Sequence, residues 1–339
     1  MAVIDIHAHL IPRDAVERAV AGDGLDGLGT TRETGTLLIR HRQGYVYPFA
    51  DEFHQPAARL ARMDAMGIDA AVVSISPTFF FYSVAPREGV RYARATNETI
   101  AAHVGTAPDR LAGLATLPMQ DPTSAADELE RAVRDLGLRG AAVGPRVDDA
   151  YLDDHRFRPV LERAEALDVP LLLHPFYVGP RPGLPDFYLT NLVGNPLETT
   201  IGAARLILSG VLDRFPRLRL VLTHGGGFLP YQIGRLDQGH RVRAEANGSE
   251  RPPSEYLRRF VYDSVTHAPE VTAFLVSLVG ADRVAYGTDL PFDMMAGPPD
   301  EQLARLAPAD RACVEADTAR AWFGVFPATT VARPEPARR

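Results

Sequence analysis

The chain has 339 residues, with 43 acidic and 36 basic side chains and a formal net charge of −7, and every one of those bases is arginine. Because there is no lysine, Schiff-base and pyridoxal-phosphate chemistry, a P-loop lysine and a carbamylated lysine bridging two metals are excluded. The acidic balance disfavours nucleic acids and anionic membranes as partners. The single cysteine, Cys313, excludes intramolecular disulfides and paired-cysteine metal motifs.

The amino-terminal segment has no basic region ahead of an apolar one. Nowhere does the chain approach the roughly 18 uninterrupted apolar residues that a membrane-spanning helix needs. We therefore expect neither a signal peptide nor a membrane span, and a cytoplasmic protein.

Short apolar or alternating runs recur along the chain, and each is followed by a longer, helix-like amphipathic segment. The eight runs begin near Val3, Ala70, Leu111, Gly140, Pro170, Arg219, Phe260 and Arg283. Strands that alternate with helices form parallel sheets, and eight repeats favour a closed barrel over an open doubly wound sheet. The predicted fold class is α/β, a single (β/α)8 TIM barrel.

Two segments interrupt this alternation. Residues 10–56 separate the first strand from the first clear helix, and residues 177–195, rich in Pro, Gly, Tyr and Phe, follow the fifth strand. Loops of this length in a compact domain are usually functional lids or oligomer contacts, so both are predicted insertions. We expect one barrel domain over residues 1–326 and a disordered tail over 327–339.

Metal-type ligands stand at the ends of several predicted strands. His7 and His9 are two residues apart, so the alternation of a strand sends both imidazoles to the same side. His174, His224 and Asp289 end three further strands, and the carboxyl ends of barrel strands converge on one face. Taken singly, His174 or His224 is more often a buried core histidine, and Asp289 is compatible with a helix cap. Together they predict a metal site of imidazoles and a carboxylate, a donor set that suits zinc.

Four motifs carry a family resemblance: DIHAH at the start, HGGG after the sixth strand, RPPSEYLRRF, and GADRVAYGTDLPF at the eighth strand. Together with the strand-end His174, they resemble the amidohydrolase superfamily and, within it, the branch that contains 2-amino-3-carboxymuconate-6-semialdehyde decarboxylase and related metal-dependent decarboxylases. The resemblance implies one Zn²⁺ per subunit, or another divalent transition ion such as Mn²⁺, held by His7, His9, His174 and Asp289. It also implies that His224 is the general acid/base, with Asp289 as the second catalytic residue.

The same resemblance implies a homodimer in which an arginine of the neighbouring subunit binds the substrate carboxylate, and Arg235 matches that arginine. A second arginine of the family, in the first long loop, aligns with Tyr47, and Arg40 and Arg42 lie nearby. Asn191 matches an aromatic position of the family.

His267, just past the seventh strand, is a further candidate for the substrate pocket. The expected activity is nonoxidative decarboxylation of a small unsaturated or aromatic carboxylic acid. A metal-dependent hydrolase or hydratase on the same barrel stays open, because the ligand set serves either chemistry.

Overall fold

The structure is a computed structural model that describes residues 2–42, 44–176, 178 and 181–327, so the predicted tail lies, apart from Pro327, outside the described residues. The strands are β1 (Ile4–Leu10), β2 (Gly29–Glu33), β3 (Thr36–Arg40), β4 (Val46–Pro48), β5 (Ala70–Ile75), β6 (Leu111–Gly113), β7 (Ala115–Thr116), β8 (Ala141–Val143), β9 (Arg146–Val147), β10 (Ala150–Tyr151), β11 (Pro170–Leu173), β12 (Arg219–Leu222), β13 (Phe260–Asp263) and β14 (Val284–Ala285). The α-helices are α1 (Arg13–Val20), α2 (Pro56–Met66), α3 (Pro86–Gly105), α4 (Pro122–Arg134), α5 (Arg158–Leu167), α6 (Asn195–Leu208), α7 (Val211–Arg214), α8 (Leu229–Val242), α9 (Pro269–Val279), α10 (Pro299–Gln302), α11 (Pro308–Ala312) and α12 (Thr318–Phe323).

All eight apolar runs form β-strands, and the mixed α/β fold is confirmed. Two parallel sheets contain them, one in the order β1-β5-β6 and the other in the order β14-β13-β12-β11-β8-β7. Their side chains are buried on both faces, as in Pro170–Leu173, and such near-continuous apolar strands are typical of parallel sheets covered by helices.

Backbone hydrogen bonds also run between the two sheets. The amide of Ile6 in β1 donates to Tyr286 O at 2.9 Å, and the amide of His9 donates to Leu290 O at 2.7 Å. At the other junction only Leu114 separates β6 from β7, and its amide donates to Val73 O in β5 at 2.9 Å. The ends of β1 and β14 therefore lie side by side, which brings the first and last strand-end motifs of the chain together.

Local sequence signals stand at the ends of several helices. The Asp121 carboxylate caps α4 by accepting from the Ser124 amide at 3.2 Å, and Pro122 takes the first turn, where no amide donor is needed. Gly210 follows the end of α6 with φ +71°, and Gly280 follows α9 with φ +87°. These backbone conformations favour glycine and end each helix before the next strand.

The first insertion is more ordered than the predicted loop. Residues 10–56 contain the helix α1 and an antiparallel sheet of β2, β3 and β4. The sequence pattern did not indicate these strands because most of their side chains are exposed or half-buried, with Ile39 fully buried in β3. This sheet carries Tyr47, in β4, toward the predicted active-site face. In the second insertion, Thr190–Gly194 form a π-helical turn that leads into α6.

Among the described residues, no helix combines the length and the apolar character needed to cross a lipid bilayer.

Candidate active site

The four predicted metal ligands meet at one point. One nitrogen or oxygen atom from each of His7, His9, His174 and Asp289 lies within 4.8 Å of the others. The two β1 histidines point to the same side, as the strand alternation predicts, while His174 follows β11 and Asp289 follows β14. The fold thus brings β1 and the segment after β14, more than 280 positions apart in sequence, to one compact set of metal-ligand atoms.

Hydrogen bonds orient two of the three imidazoles in the same way. His7 Nδ1 lies 2.6 Å from Asp263 Oδ2, and His174 Nδ1 lies 2.6 Å from Pro175 O. Since both partners are acceptors, each Nδ1 carries the proton and each Nε2 keeps its lone pair. His174 Nε2 is buried and has no hydrogen-bond partner among the described residues. An imidazole held in this tautomer is ready to bind a metal through Nε2.

The donor atoms are crowded in a way that suits a shared cation. His7 Nε2 and His9 Nε2 are 3.0 Å apart, and Asp289 Oδ1 lies 2.9 Å from His9 Nε2 and 3.4 Å from His7 Nε2. Lone pairs that face one another so closely repel unless a proton or a metal ion lies between them. Three imidazole nitrogens and one carboxylate oxygen can therefore hold a borderline divalent ion such as Zn²⁺.

Burial and nearby charge set the protonation of these imidazoles. Burial, reinforced by His7 and His224, holds the pKa of His174 well below its ordinary value, so its ring stays neutral. Burial acts to lower the pKa of His7 too, but the hydrogen bond to Asp263 and the charge of Asp289 outweigh it and raise that pKa. The carboxylate thus makes His7 the more basic donor.

Asp263, at the end of β13, organises the site and was missed by the sequence analysis. Its Oδ2 accepts from His7 Nδ1 and from the His224 amide at 2.9 Å, while its Oδ1 accepts from the amides of Gly225 at 2.8 Å and Val265 at 3.1 Å. Burial by itself raises the pKa of Asp263, but the bond to His7 outweighs burial and the pKa is lowered. The signal that marks His174 and His224, a polar residue ending a buried strand, was present here too.

A second buried carboxylate, Asp5, fixes the backbone around the ligands. Its Oδ1 accepts from the amides of His7 at 2.9 Å and Thr288 at 3.1 Å, and its Oδ2 accepts from the Thr288 hydroxyl at 2.6 Å. Burial raises the pKa of Asp5 to about 6. Because Thr288 precedes Asp289, Asp5 positions the loop that presents the carboxylate ligand to β1.

Three residues at the strand ends have left-handed backbone conformations. His224 has φ +56°, His267 has φ +57° and Asp289 has φ +67°. In the HGGG turn, Gly227 has φ +64°, and a Cβ atom on it would lie 2.1 Å from Pro196 O. Only glycine fits that position, so the turn can pass close to α6 and hold His224 beside the ligand cluster.

His224 lies where two cavities meet, each of about 530 Å³. The first, which we call the main cavity, is also lined by Tyr47, Asn191, His174 and Asp289. The second, the apolar cavity, shares Asn191, His224 and Asp289 with it and includes His267. Burial lowers the pKa of His224 to about 4. The structure therefore brings the predicted residues Tyr47, Asn191 and His267 to the cavities beside His224.

The Tyr47 side chain is held in place within the main cavity. Its hydroxyl lies 2.6 Å from Thr78 Oγ1 and 2.9 Å from His41 Nε2, and its ring lies edge-on to Phe292 with centroids 5.2 Å apart. Burial raises the pKa of Tyr47, so the hydroxyl stays protonated. Tyr47 thus offers a neutral polar group at the position where the family resemblance led us to expect an arginine.

The predicted arginines are not gathered at the cavities within one subunit. Arg235 is exposed on α8. It is not one of the described residues that line the two cavities. Arg40 pairs with Glu33 at 3.1 Å, and Arg42 pairs with Asp26 at 2.9 Å, so these two guanidiniums are directed elsewhere.

Asn195 and Arg181 are among the main-cavity residues that were not predicted from the sequence. Asn195 Oδ1 is buried without a hydrogen-bond partner among the described residues, and Asn195 also lines the apolar cavity. Arg181 belongs to the second insertion. The sequence did not indicate that either residue lines the cavity, since Asn195 is typical of a helix start and Arg181 lies in an irregular loop.

Comparison with known proteins agrees with this geometry. The chain belongs to the amidohydrolase family, whose sequence model matches residues 4–325. It is 35% identical over 241 residues to the 2-amino-3-carboxymuconate-6-semialdehyde decarboxylase of Dictyostelium discoideum, covering 70% of this chain and 67% of that protein. This match confirms the branch of the superfamily that the motifs indicate.

The solved structures that are similar over almost the whole chain include two decarboxylases. The 5-carboxyvanillate decarboxylase of Sphingomonas paucimobilis has 28% identity and a TM-score of 0.79, covering 96% of this chain and 99% of that one. The dihydroxybenzoic acid decarboxylase of Polaromonas sp. JS666, with bound manganese and the inhibitor 2-nitroresorcinol, has 25% identity and a TM-score of 0.77, covering 98% and 99%.

Proposed function

We propose that this protein is a metal-dependent, nonoxidative decarboxylase of a small unsaturated or aromatic carboxylic acid. The observation that carries the proposal is the position of His224, beside the four-ligand cluster and at the junction of two cavities. The decarboxylase activities of the relatives support it, as does a main cavity large enough for one aromatic ring with its substituents.

The metal ligands in this proposal are His7, His9, His174 and Asp289. Their donor set favours zinc, and the manganese in the Polaromonas relative makes Mn²⁺ the alternative ion. A divalent ion held there would supply Lewis acidity that stabilises negative charge developing on a substrate oxygen.

His224 is the proposed general acid/base. Its Nδ1 lies 3.3 Å from Thr223 Oγ1, which leaves Nε2 as the nitrogen available to substrate. Loss of carbon dioxide breaks a carbon–carbon bond and leaves its electron pair on the substrate carbon, where a proton must be added. Because burial lowers its pKa, His224 is neutral at rest, so in this proposal Nε2 first takes up a proton from solvent and then passes it to the substrate carbon as carbon dioxide leaves. Asp289, which is half-buried and lines both cavities, assists the transfer as the second catalytic residue.

The test is metal-dependent release of carbon dioxide from a panel of hydroxybenzoates and muconate-type acids. We expect turnover of at least one acid, its loss on chelation, and its return when Zn²⁺ or Mn²⁺ is added. Cleavage of an ester, lactone or amide with incorporation of labelled solvent oxygen, and no carbon dioxide release, would instead establish the hydrolase. Labelled water added across a double bond would establish the hydratase.

We also infer that the two parallel sheets are arcs of one closed (β/α)8 barrel, and that residues 1–326 form a single domain with insertions after β1 and after β11. The bonds between Ile6 and Tyr286 and between Leu114 and Val73 support closure at both junctions. The family match over residues 4–325 supports one domain. An experimental structure with β1 and β14 apart would contradict the closed barrel.

The proposed substrate-binding residues are Tyr47, Asn191, His267 and, across a homodimer, Arg235. An exposed apolar surface supports the dimer, because Tyr231 is 77% exposed one turn before Arg235, and Val271 and Phe274 are 49% and 45% exposed on the adjacent α9. Soluble monomers rarely leave such aromatic surfaces open to water.

Subunit mixing tests this arrangement. If Arg235 acts across the dimer, Arg235→Ala raises the KM for the carboxylate substrate, and a 1:1 mixture with His224→Ala regains about a quarter of the wild-type sites. The regained sites combine the His224 of one subunit with the Arg235 of the other. Activity no greater than the sum of the two unmixed variants would place Arg235 outside the neighbouring site.

A further inference from the structure

Arg181 is the only arginine among the described residues that line the main cavity or the apolar cavity. It lies in the second insertion, and its side chain is 35% exposed. The other charged lining residues of the main cavity, apart from the histidines, are Asp289 of the ligand cluster and the exposed Asp293. Of the residues that the structure describes, Arg181 is therefore the one that brings a permanent positive charge to the wall of the main cavity.

The Arg181 guanidinium is anchored on its protein side. Nη2 lies 3.1 Å from Oε2 of Glu198, whose side chain is only 3% exposed, and the Tyr151 hydroxyl interacts with both residues. The other Glu198 oxygen, Oε1, accepts from Arg146 Nε at 2.8 Å. One buried carboxylate thus faces two arginines, so Glu198 by itself cannot neutralise both guanidiniums.

An arginine has five N–H donors, more than these contacts use, and its planar fork suits bidentate binding of a carboxylate. None of the hydrogen bonds or ion pairs of the described residues links Arg181 to His7, His9, His174, His224 or Asp289. The Arg181 guanidinium and the ligand cluster therefore have separate protein partners on the wall of the same cavity.

We propose that Arg181 binds a second anionic group of the substrate, separate from the carboxylate that is lost, so that the preferred substrates are dicarboxylates. The proposal rests on the proposed decarboxylase function for the identity of the lost group. Glu198 holds the Arg181 guanidinium in a fixed position at the cavity wall. Arg181 therefore selects substrates whose second anionic group reaches that position, which makes it a specificity-determining residue.

Equilibrium binding tests this without turnover, so that a failure of the decarboxylase assay and a failure of this proposal are distinguishable. Titration calorimetry on the metal-loaded protein compares benzoate with isophthalate, terephthalate and cis,cis-muconate. We expect the wild-type protein to bind at least one dicarboxylate about tenfold or more tightly than benzoate, and Arg181→Gln to remove most of that preference. Arg181→Lys restores part of it, because the charge returns without the fork.

Arg146→Gln is the matched control, since Arg146 binds the same Glu198 carboxylate but is not a lining residue of either described cavity. We expect it to keep the dicarboxylate preference. An equal loss in Arg146→Gln and Arg181→Gln would overturn the proposal, because Arg181 would then act only through Glu198. The same conclusion follows if Arg181→Gln leaves the preference unchanged. If the variants do not fold, a wild-type protein that binds no dicarboxylate more tightly than benzoate also overturns it.

Discussion

Replacing His224 by asparagine is expected to lower kcat by about 10²–10⁴-fold, the usual contribution of a general acid/base, while the metal content stays unchanged. His224 stands outside the four-atom donor set, so its loss removes the proton donor and not a ligand. Asparagine is the appropriate replacement because it tolerates the left-handed backbone at this position, where φ is +56°. Turnover by carbon dioxide release and metal content by atomic emission are measured on the same samples.

His9→Ala is the comparison variant, because it removes a proposed ligand from the same cluster. We expect it to lose both metal and activity, and added Zn²⁺ or Mn²⁺ to restore little of either. If His224→Asn loses as much metal as His9→Ala, then His224 is a ligand and the division between ligands and acid/base is wrong.

Asp263→Asn is expected to lower metal affinity by about 10–100-fold, the second large effect. Losses of this size are typical when the hydrogen-bond partner of a metal-binding histidine is changed. Both oxygens of Asp263 accept hydrogen bonds, from the His7 ring, the His224 amide and two further amides. The asparagine side chain has one accepting oxygen, so its NH2 group must face an N–H donor that Asp263 accepts from in the wild-type protein. We expect His7 to lose its fixed tautomer, and the free energy of unfolding to fall by roughly 1–3 kcal/mol.

Chelator competition measures the affinity, and chemical unfolding measures the stability. Glu128→Gln is the control, since Glu128 is also a fully buried carboxylate but binds Asn97 and Arg131 in the packing of α4. It is expected to lower stability with no change in metal affinity. An unchanged metal affinity in Asp263→Asn, or an equal fall in Glu128→Gln, would remove Asp263 from the support of the site.

The ligand cluster could be predicted because its signals are local. His7 and His9 share a strand face by simple alternation, and His174 and Asp289 end strands whose carboxyl ends must converge once the sheet is parallel. No such rule separates a ligand from the residue that orients it. Asp263 ends its strand just as His174 does, and only the folded arrangement shows that its carboxylate contacts the far side of the His7 ring.

The cavity wall was less predictable for a different reason. Arg181 and Tyr47 lie in the two insertions, where no periodic pattern says which way a side chain points. Alignment with the family suggested that a cation was missing near Tyr47, and Arg40 and Arg42 were the nearest replacements in sequence. Both instead pair with acidic residues, and the arginine on the cavity comes from the other insertion, about 140 positions further along the chain.

The left-handed backbone at His224, His267 and Asp289 has an evolutionary consequence. Side chains other than glycine are disfavoured there by on the order of 1 kcal/mol or more each, so these proposed site residues occupy positions where glycine would relieve backbone strain. Selection for stability and selection for activity therefore act in opposite directions at these strand ends. In a lineage that no longer needed the activity, substitution by glycine would be favoured at these positions first, and the fold would persist after the activity was lost.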